Sequence, residues 1–254
     1  SCAQIKGRFK PTPDELKAEP IAVVAYGPSL RSTWPQVGSF KTIFTCSGAH
    51  KFLLDRGIQP TYHVESDPRS HKTMMLGTPN PEVTYLLASI IHPSYIDLLQ
   101  ANDITNIQLW HLFLMEPEFV KCLPRNEWLM TGGDVIGTRT MKIARLMGYT
   151  NMHFFGFDAC TDRKNREQTH SGVHLNAFGR SEIQEFYFND RLYFTNNDWT
   201  THAKMMIEDL DRMPEISYTV HGDGLFQAMV ADHTPVFRAR LPLGVSTWEE
   251  RGTL

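Results

Sequence analysis

The chain has 254 residues, 41% of them hydrophobic and 21% charged, and its 25 basic and 28 acidic residues give a formal net charge of -3. This near balance of charge disfavours a protein that holds nucleic acid through its phosphates, and no apolar run is long enough for a membrane-spanning helix. The four cysteines, Cys2, Cys46, Cys122 and Cys160, form no CxxC pair, so neither a zinc knuckle nor a disulfide framework is indicated, and a cytoplasmic location is expected.

Residues 1–20 are polar and rich in proline, and we expect them to form an arm outside the core. From Ile21 onwards, short β-branched runs alternate with helical patterns, which is typical of a parallel sheet covered by helices. Six strands are predicted, at residues 21–25, 42–46, 62–65, 83–87, 107–110 and 152–155. Helices are predicted at residues 49–56, 95–101 and, most clearly, 135–147, where the apolar residues form one stripe.

A polar segment follows Asp158 and predicts a loop or lid over about residues 159–185. Beyond it the pattern predicts a strand at 186–194, a helix from Thr200 to Met213 and a strand at 216–220. The expected organisation is an N-terminal arm (1–20), one domain (21–232) and a C-terminal tail (233–254). The predicted fold class is α/β, a three-layer sandwich with a mostly parallel sheet and a small C-terminal lid or extension.

The first predicted strand ends in Gly27, Pro28 and Ser29. A glycine at the carboxyl end of a strand permits a ligand to approach the backbone closely, and Ser29 offers a hydroxyl. The spacing matches neither a dinucleotide fingerprint nor a Walker phosphate loop, so a tight Gly-Pro turn is the alternative interpretation.

The next two strands also end in polar residues, Ser47 after the second strand and Glu65 and Asp67 at the third. Glu65 and Asp67 lie two residues apart and therefore point to the same side if the strand persists. They could bind a metal ion, a ribose hydroxyl or a pyrophosphate through Mg²⁺, because carboxylates that end a parallel strand face the ligand crevice. The alternative is an Asp-Pro turn with a solvated glutamate.

Gly132, Gly133 and Asp134 open the longest predicted helix. Glycines there leave backbone amides and the positive end of the helix available to an anion, so this turn is the best phosphate candidate in the sequence. The alternative is that Asp134 caps the helix and Gly137 lets it pack closely on the sheet.

The polar loop carries His170 and His174 beyond the strand end at Asp158. A histidine on such a loop is a candidate general base, because its ordinary pKa lies close to neutral pH. The two could also ligate a metal at their i, i+4 spacing, but Gly172 between them weakens a helix, so base catalysis is favoured.

This ordered set of motifs resembles the motility accessory factor and MptE-like family, whose members are associated with flagellin glycosylation or pterin pyrophosphorylation. The motifs are Gly27-Pro28-Ser29-Leu30, Thr45-Cys46-Ser47-Gly48, Glu65-Ser66-Asp67-Pro68, Gly132-Gly133, Phe155-Gly156-Phe157-Asp158, the His170 loop and Gly222-Asp223-Gly224. The resemblance implies a Rossmann-like nucleotide-binding transferase core, similar also to that of bacterial sialyltransferases. It covers residues 21 to about 230.

The resemblance also implies roles for individual residues. Gly27, Pro28 and Ser29 would flank a donor nucleotide, and Ser47 and Asp67 would line the crevice. Gly132, Gly133, Asp134 and Asp158 are assigned to the same nucleotide site. His170 or His174 would take the proton of the acceptor, and the choice between them is left open.

The expected function is therefore a nucleotide-dependent transferase, glycosyltransferase-like, that moves a sugar from a CMP-type donor to a hydroxyl on a glycan, protein or small molecule. One alternative is a Mg²⁺-dependent pyrophosphokinase that acts from ATP on a hydroxymethylpterin-like substrate, with Glu65 and Asp67 as metal ligands. A second alternative is a non-catalytic nucleotide- or sugar-binding module. No resident cofactor is expected outside the Mg²⁺ alternative, nor is a nucleic-acid partner or a membrane span, and a homo-oligomer is left open.

Overall fold

The computed structural model describes residues 5–113, 127–133, 135–161, 182–236 and 244–245. In chain order the elements are β1 (Lys17–Val24), α1 (Leu30–Val37), β2 (Thr42–Cys46), α2 (Ala49–Leu54), β3 (Tyr62–Glu65), α3 (Lys72–Leu76), β4 (Thr84–Ala88), α4 (Pro93–Ala101), β5 (Ile107–Leu112), β6 (Leu129–Met130), α5 (Ile136–Leu146), β7 (Tyr149–Phe155), β8 (Gln184–Phe188), β9 (Arg191–Thr195), α6 (Asn197–Asp211), β10 (Ser217–His221), α7 (Leu225–Asp232) and β11 (Gly244–Val245). None of the helices in these described ranges is both long and apolar enough to cross a membrane.

The chain forms two compact units, and each is built from separate stretches of sequence. The first unit comprises Ser1–Leu16, Phe44–Gly148 and Leu241–Leu254, and the second comprises Lys17–Ile43 and Tyr149–Arg240. The change from the second unit to the first falls inside β2.

The first unit contains a mostly parallel set of strands in the order β2-β3-β4-β5-β6-β11, of which β11 pairs antiparallel with β6. Its core includes Tyr85 and Leu87 of β4, packed with Tyr95, Ile96 and Leu99 of α4. The strands β2 to β6 are buried at almost every position, because helices cover a parallel sheet and leave neither face to water.

The second unit contains three parallel strands in the order β10-β7-β1. Residues 21–24 of β1 are completely buried, which explains the unbroken apolar run in the sequence. The hairpin of β8 and β9 forms a separate two-stranded sheet.

The predicted α/β class with mostly parallel strands is confirmed, and all six predicted strands are present within a few residues of their expected bounds.

Three predictions need correction. The arm does not stay outside the core, because Ile5 and Phe9 are buried and β1 begins at Lys17. The strand predicted at 186–194 is a hairpin, and the helix predicted from Thr200 begins at Asn197, where the Asn196 side chain accepts the amide of Trp199.

Candidate functional site

Polar residues gather where the strands of the first unit end. Parallel strands present their carboxyl ends at one edge of a sheet, which is where open α/β proteins bind ligands. Where β2 and β3 end, side chains from these strand ends, from α3 and from α5 form a group that we call the carboxyl-edge cluster: Ser47, Glu65, Ser66, Asp67, Lys72 and Arg139.

Lys72 lies at the centre of the carboxyl-edge cluster. Its side chain is 7% exposed, and its Nζ lies 3.6 Å from Asp67 Oδ2 and 4.0 Å from Glu65 Oε2. The same ammonium donates to Ser47 Oγ at 3.1 Å. A lysine is rarely buried unless it is paired, and these contacts supply the pairing.

The pKa values of the two carboxylates in the cluster are shifted in opposite directions. Burial raises the pKa of Glu65, although Lys72 and the amides of Ser66 and Asp67, which donate to Glu65 Oε1 at 2.9 and 3.1 Å, oppose that rise. Burial also acts to raise the pKa of Asp67, but a bidentate pair with Arg69, at 2.8 and 2.5 Å, and the nearby Lys72 bring it down to about 2. Asp67 is therefore a firmly charged carboxylate.

The predicted metal ligands Glu65 and Asp67 do lie on the same side, since both face the Lys72 ammonium. That ammonium stands where a divalent ion would have to sit, while Glu65 Oε1 accepts from two amides and Asp67 accepts from Arg69. The residues present therefore do not fit Mg²⁺ in this arrangement. Within the described residues, no group of three or more His, Cys, Asp or Glu side chains is arranged to hold a metal ion.

The glycine turn before α5 is tied to the same cluster by Arg139. Gly132 and Gly133 both have positive φ angles, 65° and 80°, which side-chain-bearing residues rarely adopt. Arg139 Nε donates to the carbonyl of Gly133 at 2.6 Å, and its Nη1 donates to Ser66 Oγ at 2.7 Å. Lys142 is also close, because a Cβ on Gly132 would lie 2.7 Å from its Nζ. Two cations of α5 thus flank the turn predicted to hold a phosphate.

The N-cap of α5 is not the one that the sequence offered as an alternative, in which Asp134 caps the helix. Its N-cap is Val135, in extended conformation and without a side-chain cap. Asp134 lies outside the described residues, so its assignment to the nucleotide site stays a prediction.

In the second unit, a cavity of about 280 Å³ opens beyond the ends of β1 and β7. We call it the strand-end cavity. Its walls come from the turn after β1, the chain after β7, strand β9 and the turn after β10, and they include Pro28, Ser29, Asp158, Thr161, Arg191 and Tyr193.

Asp158 holds the turn after β1 in place. It is only 3% exposed, its Oδ2 accepts the amide of Ser29 at 2.8 Å, and its Oδ1 accepts the side-chain amide of Gln227 at 3.0 Å. Burial raises the pKa of Asp158, and the hydrogen bonds from Ser29 and Gln227 oppose this. Asp158 is thus a positioning residue for the wall of the cavity.

The backbone of Gly27, Pro28 and Ser29 offers no amide to a ligand. The amide of Gly27 donates to the carbonyl of Gly156 at 2.8 Å, Pro28 has none, and the amide of Ser29 is taken by Asp158. A Cβ on Gly27 would lie 2.2 Å from Asp158 Oδ2, so the missing side chain makes room for the carboxylate of Asp158. A phosphate cradle of the glycine-rich type is therefore absent from this turn.

Two buried hydroxyls of the strand-end cavity lack partners in the described part of the chain. Ser29 and Thr161 are 7% and 6% exposed, and neither hydroxyl oxygen has a hydrogen bond there. The Ser29 hydroxyl lies near Asp158 and favours its charged form, but the two are not in hydrogen-bonding geometry. An unsatisfied buried hydroxyl costs about 1–3 kcal/mol, which a polar ligand could recover.

The predicted site residues therefore fall into two groups. Gly27, Pro28, Ser29 and Asp158 lie together in the second unit. In the first unit, Ser47, Glu65 and Asp67 lie together around Lys72, and Arg139 joins Gly133 to Ser66 of that group. His170 and His174 lie outside the described residues.

Sequence reasoning missed Lys72, Arg139 and Lys142. Lys72 follows an Asp-Pro turn in a five-residue helix, which is too short to show a periodic pattern. The only signal for the other two was a pair of basic residues inside a helix that is otherwise apolar on its sheet side. Lys142 is a charged residue at a buried position, and Arg139 is half-buried.

A family model described as 6-hydroxymethylpterin diphosphokinase MptE-like matches residues 2–164. Among solved structures, the MAf glycosyltransferase from Magnetospirillum magneticum AMB-1 is similar with a TM-score of 0.58 and 16% identity, over 86% of this chain and 34% of that chain. A mammalian sialyltransferase gives a TM-score of 0.40 and 13% identity, over 80% of this chain and 69% of that one. No curated protein matches the sequence.

The chain thus spans about a third of the length of the MAf glycosyltransferase that it resembles. At 16% identity the likeness concerns the fold, and it confirms the Rossmann-like architecture that the motifs implied.

Proposed function

Because this chain belongs to the 6-hydroxymethylpterin diphosphokinase MptE-like family, we propose that it is a nucleotide-dependent transferase of the glycosyltransferase-like type. In this proposal it moves a sugar from a CMP-type donor to a hydroxyl acceptor. The transferase class rests on the family and on the fold, and the donor is proposed from the motifs and from the charges described above.

The observation that carries the proposal is the carboxyl-edge cluster. Lys72 and Arg139 bring two cations to the ends of β2 and β3, beside the hydroxyls of Ser47 and Ser66. Cations and hydroxyls are the groups that bind phosphate oxygens, and the ends of parallel strands are where nucleotides sit in this architecture. We assign the donor phosphate to this cluster.

The chemistry needs positioning and charge stabilisation above all. As the acceptor oxygen bonds to the sugar carbon, the bond from that carbon to the phosphate oxygen breaks and the nucleotide leaves with the negative charge. Lys72 and Arg139 stabilise that charge. The acceptor proton goes to a base, for which His170 and His174 are the proposed residues.

The pyrophosphokinase alternative keeps one specific support, the description of the family itself. It requires a metal ion to bridge the phosphates of ATP. Because the Lys72 ammonium lies between Glu65 and Asp67, the two carboxylates proposed as ligands do not fit that ion in this arrangement. Product analysis separates the two functions: AMP released from ATP supports the kinase, and CMP released from a CMP-sugar supports the glycosyltransferase.

A thermal-shift series with CMP, UMP, GMP and ATP, each with and without Mg²⁺, tests the proposal. A ligand that binds only the folded protein raises its melting temperature, and we expect CMP to do so whether or not EDTA is present. Arg139→Gln should reduce the shift by removing a phosphate contact. Arg56→Gln is the matched control, since Arg56 stacks on Phe52 in the same unit, outside the cluster.

Turnover separates the enzyme from the binding module. We expect His170→Ala or His174→Ala to keep the CMP shift and to lose transfer of the sugar. A folded wild-type chain that binds CMP and transfers no sugar would support the non-catalytic alternative, and turnover that survives both substitutions would rule out these histidines as the base. Absence of any CMP shift in a folded wild-type chain would contradict the proposal.

A further inference from the structure

The first unit contains a hydrogen-bonded chain of three side chains that the proposed function does not use. Ser89 Oγ lies 2.8 Å from His111 Nδ1, and His111 Nε2 is hydrogen-bonded to Glu127 Oε2. His111 is only 5% exposed, whereas Ser89 is half-buried and can be reached from solvent. A serine, a histidine and a carboxylate in this order form the set that activates a serine for nucleophilic attack.

The strand register explains why these residues meet. Ala88 of β4 pairs with Trp110 of β5, so the next residues, Ser89 and His111, lie side by side. The amide of Ser89 donates to the carbonyl of Trp110 at 2.9 Å and fixes the serine at the carboxyl end of β4. The serine is therefore held on a strand end, where side chains of open α/β sheets face ligands.

Glu127 is held as a charged hydrogen-bond acceptor. Arg8 Nε donates to its other oxygen, Oε1, at 2.7 Å. Burial acts to raise the pKa of Glu127, but the hydrogen bonds from His111 and Arg8 lower it below its usual value. A charged carboxylate on Nε2 selects the tautomer of His111 that has its proton there, which leaves the lone pair of Nδ1 free to accept the proton of Ser89.

One further donor completes the set. The backbone N–H of Ile90 makes no hydrogen bond within the described residues. The amide of the residue after a nucleophilic serine is a recurring donor to the oxyanion formed in acyl transfer.

We propose that Ser89, His111 and Glu127 form a second catalytic site, an acyl-transfer site that accepts small esters. In the first step Ser89 Oγ bonds to the acyl carbon, the proton of Ser89 moves to His111 Nδ1, and the bond from the acyl carbon to the alcohol oxygen breaks as that oxygen takes the proton. In the second step the oxygen of water bonds to the same carbon and water gives a proton to His111 Nδ1. The bond from that carbon to Ser89 Oγ then breaks, Ser89 Oγ takes the proton from His111, and the carboxylic acid leaves. This proposal stands independently of the nucleotide site.

A fluorophosphonate probe tests the proposal on the full chain. The serine oxygen bonds to phosphorus, fluoride leaves, and the serine proton goes to the histidine, so an activated serine acquires a covalent label. We expect one label per chain, and peptide mapping should place it on Ser89. The chain provides its own control: Ser94 Oγ lies 2.8 Å from His92 Nδ1, but His92 has no carboxylate partner in the described ranges. Ser94 should remain unlabelled.

Variants distinguish a serine that is activated by His111 and Glu127 from a serine that is merely exposed to the probe. Ser89→Ala should abolish the label and the hydrolysis of p-nitrophenyl acetate, whereas Ser94→Ala should leave both unchanged. Glu127→Gln keeps the serine and the histidine in place and should slow labelling by about 100-fold or more, as expected for loss of general-base assistance. Circular dichroism confirms the fold of each variant.

Three results would overturn the proposal: a folded wild-type chain that takes no label on Ser89, equal labelling of Ser89 and Ser94, or hydrolysis that survives Ser89→Ala. Labelling of Ser89 in folded Glu127→Gln at the wild-type rate would overturn it as well.

Discussion

At the scale of single residues, Gly27 shows how the absence of a side chain shapes the second unit. A Cβ at this position would lie 2.2 Å from Asp158 Oδ2 and 2.5 Å from the carbonyl of Gly156. We expect Gly27→Ala to lower the free energy of unfolding by about 3 kcal/mol, because the carboxylate that holds the amide of Ser29 must move. Urea denaturation of the full chain measures this loss.

Gly57 provides the matched control for that substitution. Its φ angle is 75°, but a Cβ there would meet no atom within 4 Å. Gly57→Ala should therefore cost only the backbone strain of a left-handed residue, about 1 kcal/mol. Equal losses of unfolding free energy in the two variants would show that the contact between Gly27 and Asp158 does not make Gly27→Ala more destabilising.

The residues of the candidate site could be located from the sequence better than their roles could. The sequence predicts Gly27 and Ser29 just beyond a strand end, which is confirmed, and it predicts that a ligand approaches the backbone at Gly27 and the hydroxyl of Ser29. In the structure that backbone is bonded to Gly156 and Asp158, more than a hundred residues further along the chain. A hydrogen bond over such a separation leaves no periodic or local signal in one sequence.

The same limit applies to the carboxyl-edge cluster. Glu65 and Asp67 could be predicted because carboxylates that end an apolar strand are locally conspicuous. Lys72 could not, since its role appears only when β2 and β3 bring Ser47 and both carboxylates around its ammonium.

At the scale of elements, the hairpin of β8 and β9 turns through Asn189 and Asp190, with φ angles of 48° and 60°. Positive φ at both central residues is the type I′ turn, which strongly prefers glycine at its second position. We expect Asp190→Gly to raise the free energy of unfolding by about 0.5–1 kcal/mol by relieving this strain. Thermal unfolding measures the gain.

Asp190→Ala is the informative partner of that variant. Alanine tolerates a left-handed conformation less well than aspartate, so its melting temperature should fall below that of the wild type. A glycine variant no more stable than the alanine variant would contradict the turn assignment.

The hairpin also shows why one prediction about the elements was wrong. The sequence at 186–194 is aromatic and apolar on both sides of Asn189-Asp190-Arg191, and Asn189-Asp190 lacks the glycine that usually marks a two-residue turn. The pattern therefore predicts a single strand. In contrast, the buried strands were easy to predict, because each is a short apolar run bounded by polar residues.

At the scale of the whole molecule, burial lowers the pKa of four histidines among the residues that the structure describes. The pKa of His50 falls to about 4, that of His63 falls well below its usual value, and those of His153 and His221 are also lowered, in every case first of all because burial penalises the charged ring. Neighbouring rings add to this, since His153 Nδ1 lies 3.0 Å from His221 Nε2. The unfolded chain takes up these protons more readily than the folded one.

These lowered pKa values make the folded protein less stable in acid. Stability contributed by these neutral rings is complete above the unfolded pKa of about 6.5 and is lost as the pH falls towards the lowered values. His50 alone accounts for a loss of about 3 kcal/mol between pH 6.5 and pH 4. Urea denaturation at pH 7 and at pH 4.5 measures the combined effect.

His50→Gln isolates one contribution to this pH dependence. The glutamine side chain can keep bonds to the carbonyl of Leu76 and to the Tyr85 hydroxyl, which His50 contacts at 3.1 Å each. It does not titrate, so we expect a shallower loss of stability on acidification. A slope identical to that of the wild type would rule out His50 as a source of acid lability.

The pairing of β1 with β7 has a consequence for how the chain is made. Lys17–Val24 leaves the ribosome roughly 130 residues before its parallel partner Tyr149–Phe155, a delay on the order of 10 s at ordinary elongation rates. During that interval the nascent second unit has an apolar strand without β7 beside it. Slow translation should lengthen this exposure, so the yield of native protein ought to depend on chaperone supply and growth temperature more than its final stability would suggest.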